Sequence, residues 1–175
     1  MVVNKVGIHP PYSKSFPDGK LLWEDTPPEL AKESFFNTVN EYDSALAFNN
    51  DLFFGPLFED PNALKNSVVM YLSDHGQNLG ELDQDYSHCG SAKIEVEIPL
   101  VIMGNIDPNT IDFSYPAHHN NVFPTLLDIM NVPKESYANR YAPSLLDATL
   151  RDAEVRYFLP SGADFFTDSA IPYDE

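Results

Sequence analysis

The chain has 175 residues and a formal net charge of −17, from 27 acidic against 10 basic side chains. This charge argues against nucleic acid as a partner, because the phosphate backbone is bound by basic patches, and it disfavours an anionic membrane surface. Hydrophobic residues make up 43% of the chain and include twelve Phe and nine Tyr, which excludes disorder for most of its length.

Cysteine content and the length of apolar runs show whether the chain has disulfides or membrane spans. The chain has one cysteine, Cys89, so it has no intramolecular disulfide. No apolar run approaches the length of a membrane span, and no signal peptide is visible, which predicts a soluble chain. The first residues read as a strand entered almost at once, which indicates a fragment of something longer.

The first half of the chain predicts one short strand and one long helix. Residues 2–6 are the strand. Thr26 has the pattern of a helix N-cap, with Pro27 at the first helical position. Apolar residues then recur at helical spacing, which predicts a helix over residues 27–54 that ends at Gly55-Pro56. The residues of this face are Phe35, Val39, Tyr42, Leu46 and Phe53.

The second half alternates strands with helices. Residues 67–72 and 98–103 are continuous apolar runs of the kind found in a parallel sheet covered on both faces. Residues 122–130 read as a helix capped by Asn120 or Asn121, and residues 155–159 as a last strand. The pattern predicts an α/β sandwich around a mostly parallel sheet. We expect residues 1–160 to form the domain and residues 161–175 an acidic tail.

Polar residues follow the clearest strand directly. Asp74 and His75 lie at its carboxyl end, where open α/β sheets bind ligands, and carboxylate and imidazole are both zinc ligands. The alternative is a loop in which the aspartate caps the next segment and the histidine is solvated. His9 follows the first strand and His88 lies in the same polar loop as His75. His118 and His119 read as part of a capping turn.

The segment "YLSDHGQNLGE" followed by "SHCG" resembles the Ser-Asp-His-Gly-x-x-Leu-Gly-Glu then His pattern of the sulfatase-like group in the alkaline phosphatase superfamily, and of its phosphoethanolamine transferases in particular. "VNKVGIHPPYSKSFP" is similar to the group's upstream Gly-x-His-x-Pro-Tyr segment. "EYDSALAFNNDLFFGPL", "EVEIPLVIMG" and "NNVFPTLLDIMNV" resemble its next helix, strand and helix in the same order. The resemblance implies a partial alkaline-phosphatase-like sandwich, the carboxy-terminal portion of a catalytic domain.

The resemblance also implies roles for four residues. Asp74 and His75 match the pair that binds the catalytic metal, which is zinc in the transferases and calcium in the sulfatases. His9 and His88 match histidines that hold the phosphate group or a second metal. A metal and imidazolium donors suit phosphoryl transfer, because its transition state carries spread negative charge.

Two departures from the pattern limit the expected activity. The group's nucleophile is absent from this chain, and Ser73 reads as a spacer. We therefore expect the chain to be inactive alone. Gln77-Asn78 stands where the group has Glu-Ser, which is expected to weaken a contact around the metal ligands.

The resemblance implies a parent protein that moves phosphoethanolamine from a phospholipid donor onto a lipid or glycan acceptor, from the bacterial inner membrane with its catalytic domain in the periplasm or outside. One alternative is a sulfatase or phosphodiesterase hydrolase, and another is a degenerate, non-catalytic binding module. The absence of the rest of the sheet would leave an open edge that favours a homodimer.

Overall fold

The computed structural model describes residues 1–23, 34–80, 92–147, 157–158 and 171–172. The chain forms two compact units, Met1–Gly104 and Asn105–Glu175. Helices and strands occur in both, so the α/β class is confirmed, while the division into residues 1–160 and 161–175 stays a prediction. The elements are α1 (Ser34–Glu59), β1 (Val68–Leu72), α2 (Lys93–Val96), β2 (Leu100–Gly104), α3 (His119–Ile129), β3 (Tyr157–Phe158) and β4 (Ile171–Pro172), with 3-10 turns at Tyr12–Lys14, Pro108–Thr110 and Lys134–Ser136.

β1 and β2 confirm the two central strands predicted from their apolar runs, but the pair is antiparallel. The register runs from Val68 opposite Gly104 to Leu72 opposite Leu100. The predicted mostly parallel sheet is therefore wrong for the described strands. A continuous apolar run shows that a strand is covered but not the direction of its neighbour, and all five residues of β1 are only half-buried. As a result the carboxyl end of β1 lies beside the amino end of β2.

α1 confirms the long helix, but it continues past the predicted stop at Gly55-Pro56 and ends at Glu59. A proline at this position leaves the carbonyl of Leu52 without its helical donor. Leu52 and Pro56 are both exposed, so water can satisfy that carbonyl. Among residues 36–59 the buried ones are Asn40, Ser44 and Ala45, whereas Val39, Tyr42 and Leu46 of the predicted apolar face are half-buried and Phe53 is exposed. The predicted Thr26 cap lies outside the described residues.

The buried polar face of α1 binds the backbone of the irregular segment before it. Ser44 Oγ accepts from the Leu22 N–H at 2.9 Å, and Asn40 Nδ2 donates to the Trp23 carbonyl at 2.6 Å. Asn49 Nδ2 donates to the Ser15 carbonyl at 2.7 Å. The Tyr12 ring packs edge-on to Tyr42 of the helix, with centroids 5.2 Å apart.

The strand predicted at residues 2–6 does not form. These residues are irregular, and Val2, Val3 and Val6 are exposed. Preference for extended structure does not make a strand unless a neighbouring backbone supplies the ladder of hydrogen bonds. His9 therefore follows no strand.

In the second unit, α3 confirms the predicted helix and corrects its cap. His118, not Asn120 or Asn121, is the N-cap: its Nδ1 accepts from the Asn120 N–H at 3.3 Å, and its own N–H donates to Asn121 Oδ1 at 2.9 Å. This agrees with the prediction of a capping turn at His118. The buried Thr125 ties the helix to a later loop, because its Oγ1 accepts from the Leu145 N–H at 2.9 Å.

The last predicted strand is confirmed where the structure describes it. Tyr157–Phe158 forms two residues of strand and pairs antiparallel with Ile171–Pro172, which lies in the predicted acidic tail. None of the helices in the described part of the chain is long and apolar enough to cross a lipid bilayer.

Candidate metal site

The candidate site is built on the turn that follows β1. Ser73 Oγ donates to the His75 carbonyl at 2.8 Å, and the His75 N–H donates to Asp74 Oδ1 at 3.1 Å. These short-range bonds fold the backbone back on itself directly after the last strand residue, Leu72. The turn therefore presents Asp74 and His75 together at the end of the sheet, as the sequence predicts.

The His75 ring is held in one tautomer. Its Nδ1 lies 2.7 Å from the Gly76 carbonyl oxygen. A carbonyl only accepts, so Nδ1 carries the proton and the lone pair of the neutral ring is on Nε2. A backbone carbonyl on the second ring nitrogen is the usual way in which proteins orient a metal-binding histidine. Nε2 is the atom that faces Asp74, at 3.8 Å from Oδ2.

The Asp74 carboxylate is kept ionised. Partial burial raises its pKa, but the positive charge that the His75 ring carries when protonated, backbone N–H donors at Asp74 and His75 and the Ser73 hydroxyl outweigh that effect, and the pKa is lowered from its ordinary value. The side chain is 87% exposed, so its oxygens are accessible. A carboxylate that is already charged at neutral pH is ready to bind a cation.

These two side chains fit part of a metal site. Two ligands bound tetrahedrally at about 2.0–2.2 Å from one zinc ion lie about 3.3–3.6 Å apart. The observed 3.8 Å between Nε2 and Oδ2 is close to that separation. A structural or catalytic zinc takes more protein ligands than two. Within the described ranges, no three His, Cys, Asp or Glu side chains form a group that could hold a metal ion.

Gly76 fixes the turn to α2. Its N–H donates to the Glu95 carbonyl at 2.8 Å, and a Cβ at this position would collide with the Ile94 carbonyl oxygen. Only glycine allows this approach of two backbones. The buried Glu95 and the short helix around it thereby support the turn that carries the two candidate ligands.

Asn78 is a supporting residue that sequence reasoning undervalued. Its side chain is fully buried, and its Oδ1 accepts from the Gly80 N–H at 2.9 Å, while Gln77 Nε2 donates to its carbonyl at 3.0 Å. The bond between Asn78 Oδ1 and the Gly80 N–H is a typical asparagine turn, in which the side chain binds the backbone two residues later. The Asn-x-Gly spacing was the available signal. Asn78 thus fixes the backbone of the loop that follows Gly76.

The other two predicted site residues are His9 and His88. His9 is exposed in the irregular segment before α1. His88 lies outside the described residues. Their assignment to phosphate or to a second metal stays a prediction, as does the convergence of His9 and His88 with Asp74 and His75.

Comparison with known proteins identifies related sequences. The family model described as Sulfatase matches residues 1–132. Phosphoethanolamine transferase EptA from Helicobacter pylori is 28% identical over 110 residues, which are 58% of this chain and 21% of that protein. Arylsulfatase K from Danio rerio is 33% identical over 78 residues, 43% of this chain and 14% of that protein. The chain therefore spans a small part of these relatives.

A solved structure has the same fold. The C-terminal periplasmic domain of EcEptC from Escherichia coli superposes with a TM-score of 0.71 at 17% sequence identity. The likeness covers 96% of this chain and 50% of that one. At this identity it concerns the fold, and it confirms the predicted fold class.

Proposed function

Because the chain belongs to the sulfatase family, we propose that it is part of the catalytic domain of a metal-dependent phosphoethanolamine transferase. The Asp74–His75 pair carries the proposal, since its Nε2 and Oδ2 atoms lie 3.8 Å apart, close to the separation of two ligands of one ion. The match to EptA over 110 residues and the fold shared with the EcEptC domain support transfer as the reaction.

The residues of this chain would bind the metal ion and orient the transferred phosphoryl group, and none of them is proposed as the nucleophile that attacks it. Asp74 and His75 would hold a divalent ion, which when bound supplies a Lewis acid that offsets charge on the transferred phosphoryl group. The Gly76 carbonyl fixes the His75 ring, so no reorientation is needed on binding. His9 and His88 are proposed to donate hydrogen bonds to the phosphate oxygens, or to hold a second metal. The preferred metal is zinc, or calcium if the protein is a sulfatase.

Zinc binding tests the site directly. Adding zinc to the metal-stripped chain is expected to raise its melting temperature, because a ligand at a hundred times its dissociation constant stabilises the folded state by about 2.7 kcal/mol. Asp74→Asn and His75→Ala should abolish the shift, whereas His119→Ala, at an exposed histidine in the other unit, should keep it. A chain that does not respond to zinc or calcium would favour the non-catalytic binding module.

We propose that the chain alone has no transferase turnover, since the resemblance to the sulfatase-like group assigns no residue of this chain as the nucleophile and Asp74 and His75 are two of the ligands that the catalytic metal needs. The test is a chromogenic phosphodiester incubated with the chain and zinc. We expect no rate above that of zinc alone. A rate that Asp74→Ala abolishes would overturn this part of the proposal and show that the chain is sufficient for chemistry.

A hydrolase is the second candidate, and the 33% identity to arylsulfatase K favours it. The same metal ligands can serve either reaction. In both, the oxygens around the phosphorus or sulfur atom carry negative charge in the transition state, and a metal ion stabilises that charge. A longer protein that contains this chain would distinguish them. Release of sulfate from an aryl sulfate indicates a sulfatase, and movement of labelled phosphoethanolamine between lipids indicates a transferase.

The partners follow from the transferase proposal. The donor would be a phospholipid with an ethanolamine headgroup, and the acceptor a lipid or glycan. The match to EptA and the periplasmic EcEptC domain support a periplasmic position for the catalytic domain of a bacterial protein, with anchoring in the inner membrane as part of the same proposal. A homodimer through an open sheet edge is proposed for the chain itself.

A further inference from the structure

The second unit contains a cavity that the metal site does not involve. It is open to solvent, because most of its lining residues are exposed, and its volume is about 420 Å³. It opens beside the first turns of α3 and the loop that follows the 3-10 turn at Lys134–Ser136. The lining side chains combine a cation, two aromatic rings and two polar groups: Arg140, Phe123, Tyr141, His119 and Asn120.

Arg140 is exceptional among the cations of this unit. The other described cation, Lys134, lies 3.7 Å from Asp128 and 3.4 Å from Asp147, so its charge is compensated. Arg140 has no ion pair or side-chain hydrogen bond within residues 105–147. Its backbone N–H donates to the carbonyl of the buried Tyr137 at 2.9 Å, which fixes the main chain of the turn, while the Arg140 side chain extends from an exposed position. In a chain of net charge −17, an uncompensated arginine in a cavity is a local site for an anion.

The aromatic pair gives the cavity an apolar wall. The Phe123 and Tyr141 rings lie edge to face with centroids 5.0 Å apart at 65°. Their residues are 49% and 45% exposed. Partly exposed aromatic rings beside a cavity can pack against the apolar C–H face of a sugar. The Asn120 amide and the His119 imidazole are groups of the kind that form hydrogen bonds with its hydroxyls.

We propose that this cavity binds a sugar that carries a phosphate or sulfate monoester, with Arg140 on the ester and Phe123 and Tyr141 against the sugar ring. The planar guanidinium donates two parallel hydrogen bonds to such an ester, which a lysine does not. The site goes beyond the proposed function, because none of its lining residues is a candidate metal ligand and binding there requires neither metal nor turnover.

Calorimetric titration of the whole chain tests the proposal. The titrants are glucose 6-phosphate, glucose 6-sulfate, glucose and inorganic phosphate, all with EDTA present so that metal binding plays no part. A sugar ester is expected to bind more tightly than glucose or phosphate alone, and the tighter of the two esters identifies the anion. Asp74→Asn should bind like the wild type, which separates this site from the proposed metal site.

Four further variants assign the contacts. Arg140→Gln should weaken binding of the sugar ester by at least about tenfold, as expected for a lost hydrogen bond to a charged group. Arg140→Lys keeps the charge and should also weaken it. Tyr141→Ser should lose affinity for the ester but not for phosphate. Lys65→Gln makes the same charge change on an exposed turn of the other unit and should have no effect.

Three results would overturn the proposal. The first is that no sugar ester binds, or that both Arg140 variants bind as the wild type does. The second is equal affinity for inorganic phosphate, which would make the cavity a simple anion site. The third is an equal loss in Lys65→Gln, which would show that net charge rather than the cavity governs binding. Circular dichroism melts establish that each variant is folded.

Discussion

Gly76 controls the candidate site at the scale of a single residue. A methyl group there would meet the Ile94 carbonyl oxygen, so the turn and α2 would have to separate. We expect Gly76→Ala to destabilise the chain by about 1–3 kcal/mol, as for other overpacked sites, and to reduce zinc affinity. Urea unfolding and zinc titration measure the two effects.

The matched control for this substitution is Gly55→Ala in α1. The nearest atom to a Cβ at Gly55 is 3.9 Å away, and the residue is helical. This change should stabilise the chain by about 0.5–1 kcal/mol through helix propensity. If Gly76→Ala behaves like its control, the close contact between the turn and α2 is not rigid.

Asp112 provides a pH-dependent prediction at the same scale. The Ser114 hydroxyl and the Ser114 and Tyr115 backbone N–H groups lower its pKa. Because the folded pKa is below the unfolded one, the carboxylate adds stability above the unfolded pKa, about 3.9, and loses it as pH falls through the folded pKa. Ser114→Ala should raise the pKa of Asp112 in an NMR titration. An unchanged midpoint would show that the 2.6 Å hydroxyl bond is not formed in solution.

Some of the site residues could be predicted from the sequence and others could not. Asp74 and His75 were predictable, because a strand ending in two ligand-type residues is a local pattern. Arg140 was not, since nothing local distinguishes it from Lys134. What separates them is the pair of carboxylates, Asp128 and Asp147, that the fold brings to the lysine.

At the scale of elements, α3 depends on two buried polar side chains. Asn121 Nδ2 donates to the Pro143 carbonyl at 2.9 Å, and Thr125 Oγ1 both donates to the Asn121 carbonyl and accepts from Leu145. Thr125→Val keeps the shape but leaves the Leu145 N–H without an acceptor. We expect a loss of about 1–3 kcal/mol in the free energy of unfolding.

Thr125→Ser is the control for this experiment, because it keeps the hydroxyl and removes one methyl group. Its loss should be clearly smaller than that of Thr125→Val when both are measured by urea unfolding. A larger loss for the serine variant would mean that packing of the methyl group, and not the two hydrogen bonds, holds α3 to the later loop.

The elements also show which sequence signals were sufficient. The apolar runs of β1 and β2 placed both strands within two residues of their observed starts. Gly55-Pro56 did not stop α1, because both Leu52 and Pro56 face water near the end of the helix. Residues 2–6 favoured extended backbone, but strand formation depends on a partner that a local pattern does not reveal.

At the scale of the whole molecule, β1 and β2 form a sheet of two strands in the described part of the chain. An unpaired strand edge attracts another chain, so we expect a concentration-dependent dimer in analytical ultracentrifugation. Val101→Lys, at an exposed position of β2, should shift the equilibrium toward monomer. Leu52→Lys changes an exposed residue of α1 by the same substitution type and should not.

The results for Val101→Lys and Leu52→Lys show whether the dimer forms through the edge of β2 or through α1. Monomer at every concentration would contradict the dimer altogether. Loss of association in Leu52→Lys alone would move the contact to the aromatic end of α1, where Phe54 stacks on Phe58 with ring centroids 5.8 Å apart and Phe58 is exposed.

The way in which α1 holds the preceding segment has a consequence for tolerance to substitution. Asn40, Ser44 and Asn49 bind main-chain atoms of Ser15, Leu22 and Trp23, not their side chains. The course of residues 15–23 is therefore indifferent to most of the side chains that they carry, in contrast to the buried Tyr12 before them. Proline at Leu22 is an exception because it removes the donor, and replacement of Asn40 releases both main-chain bonds of Trp23 together.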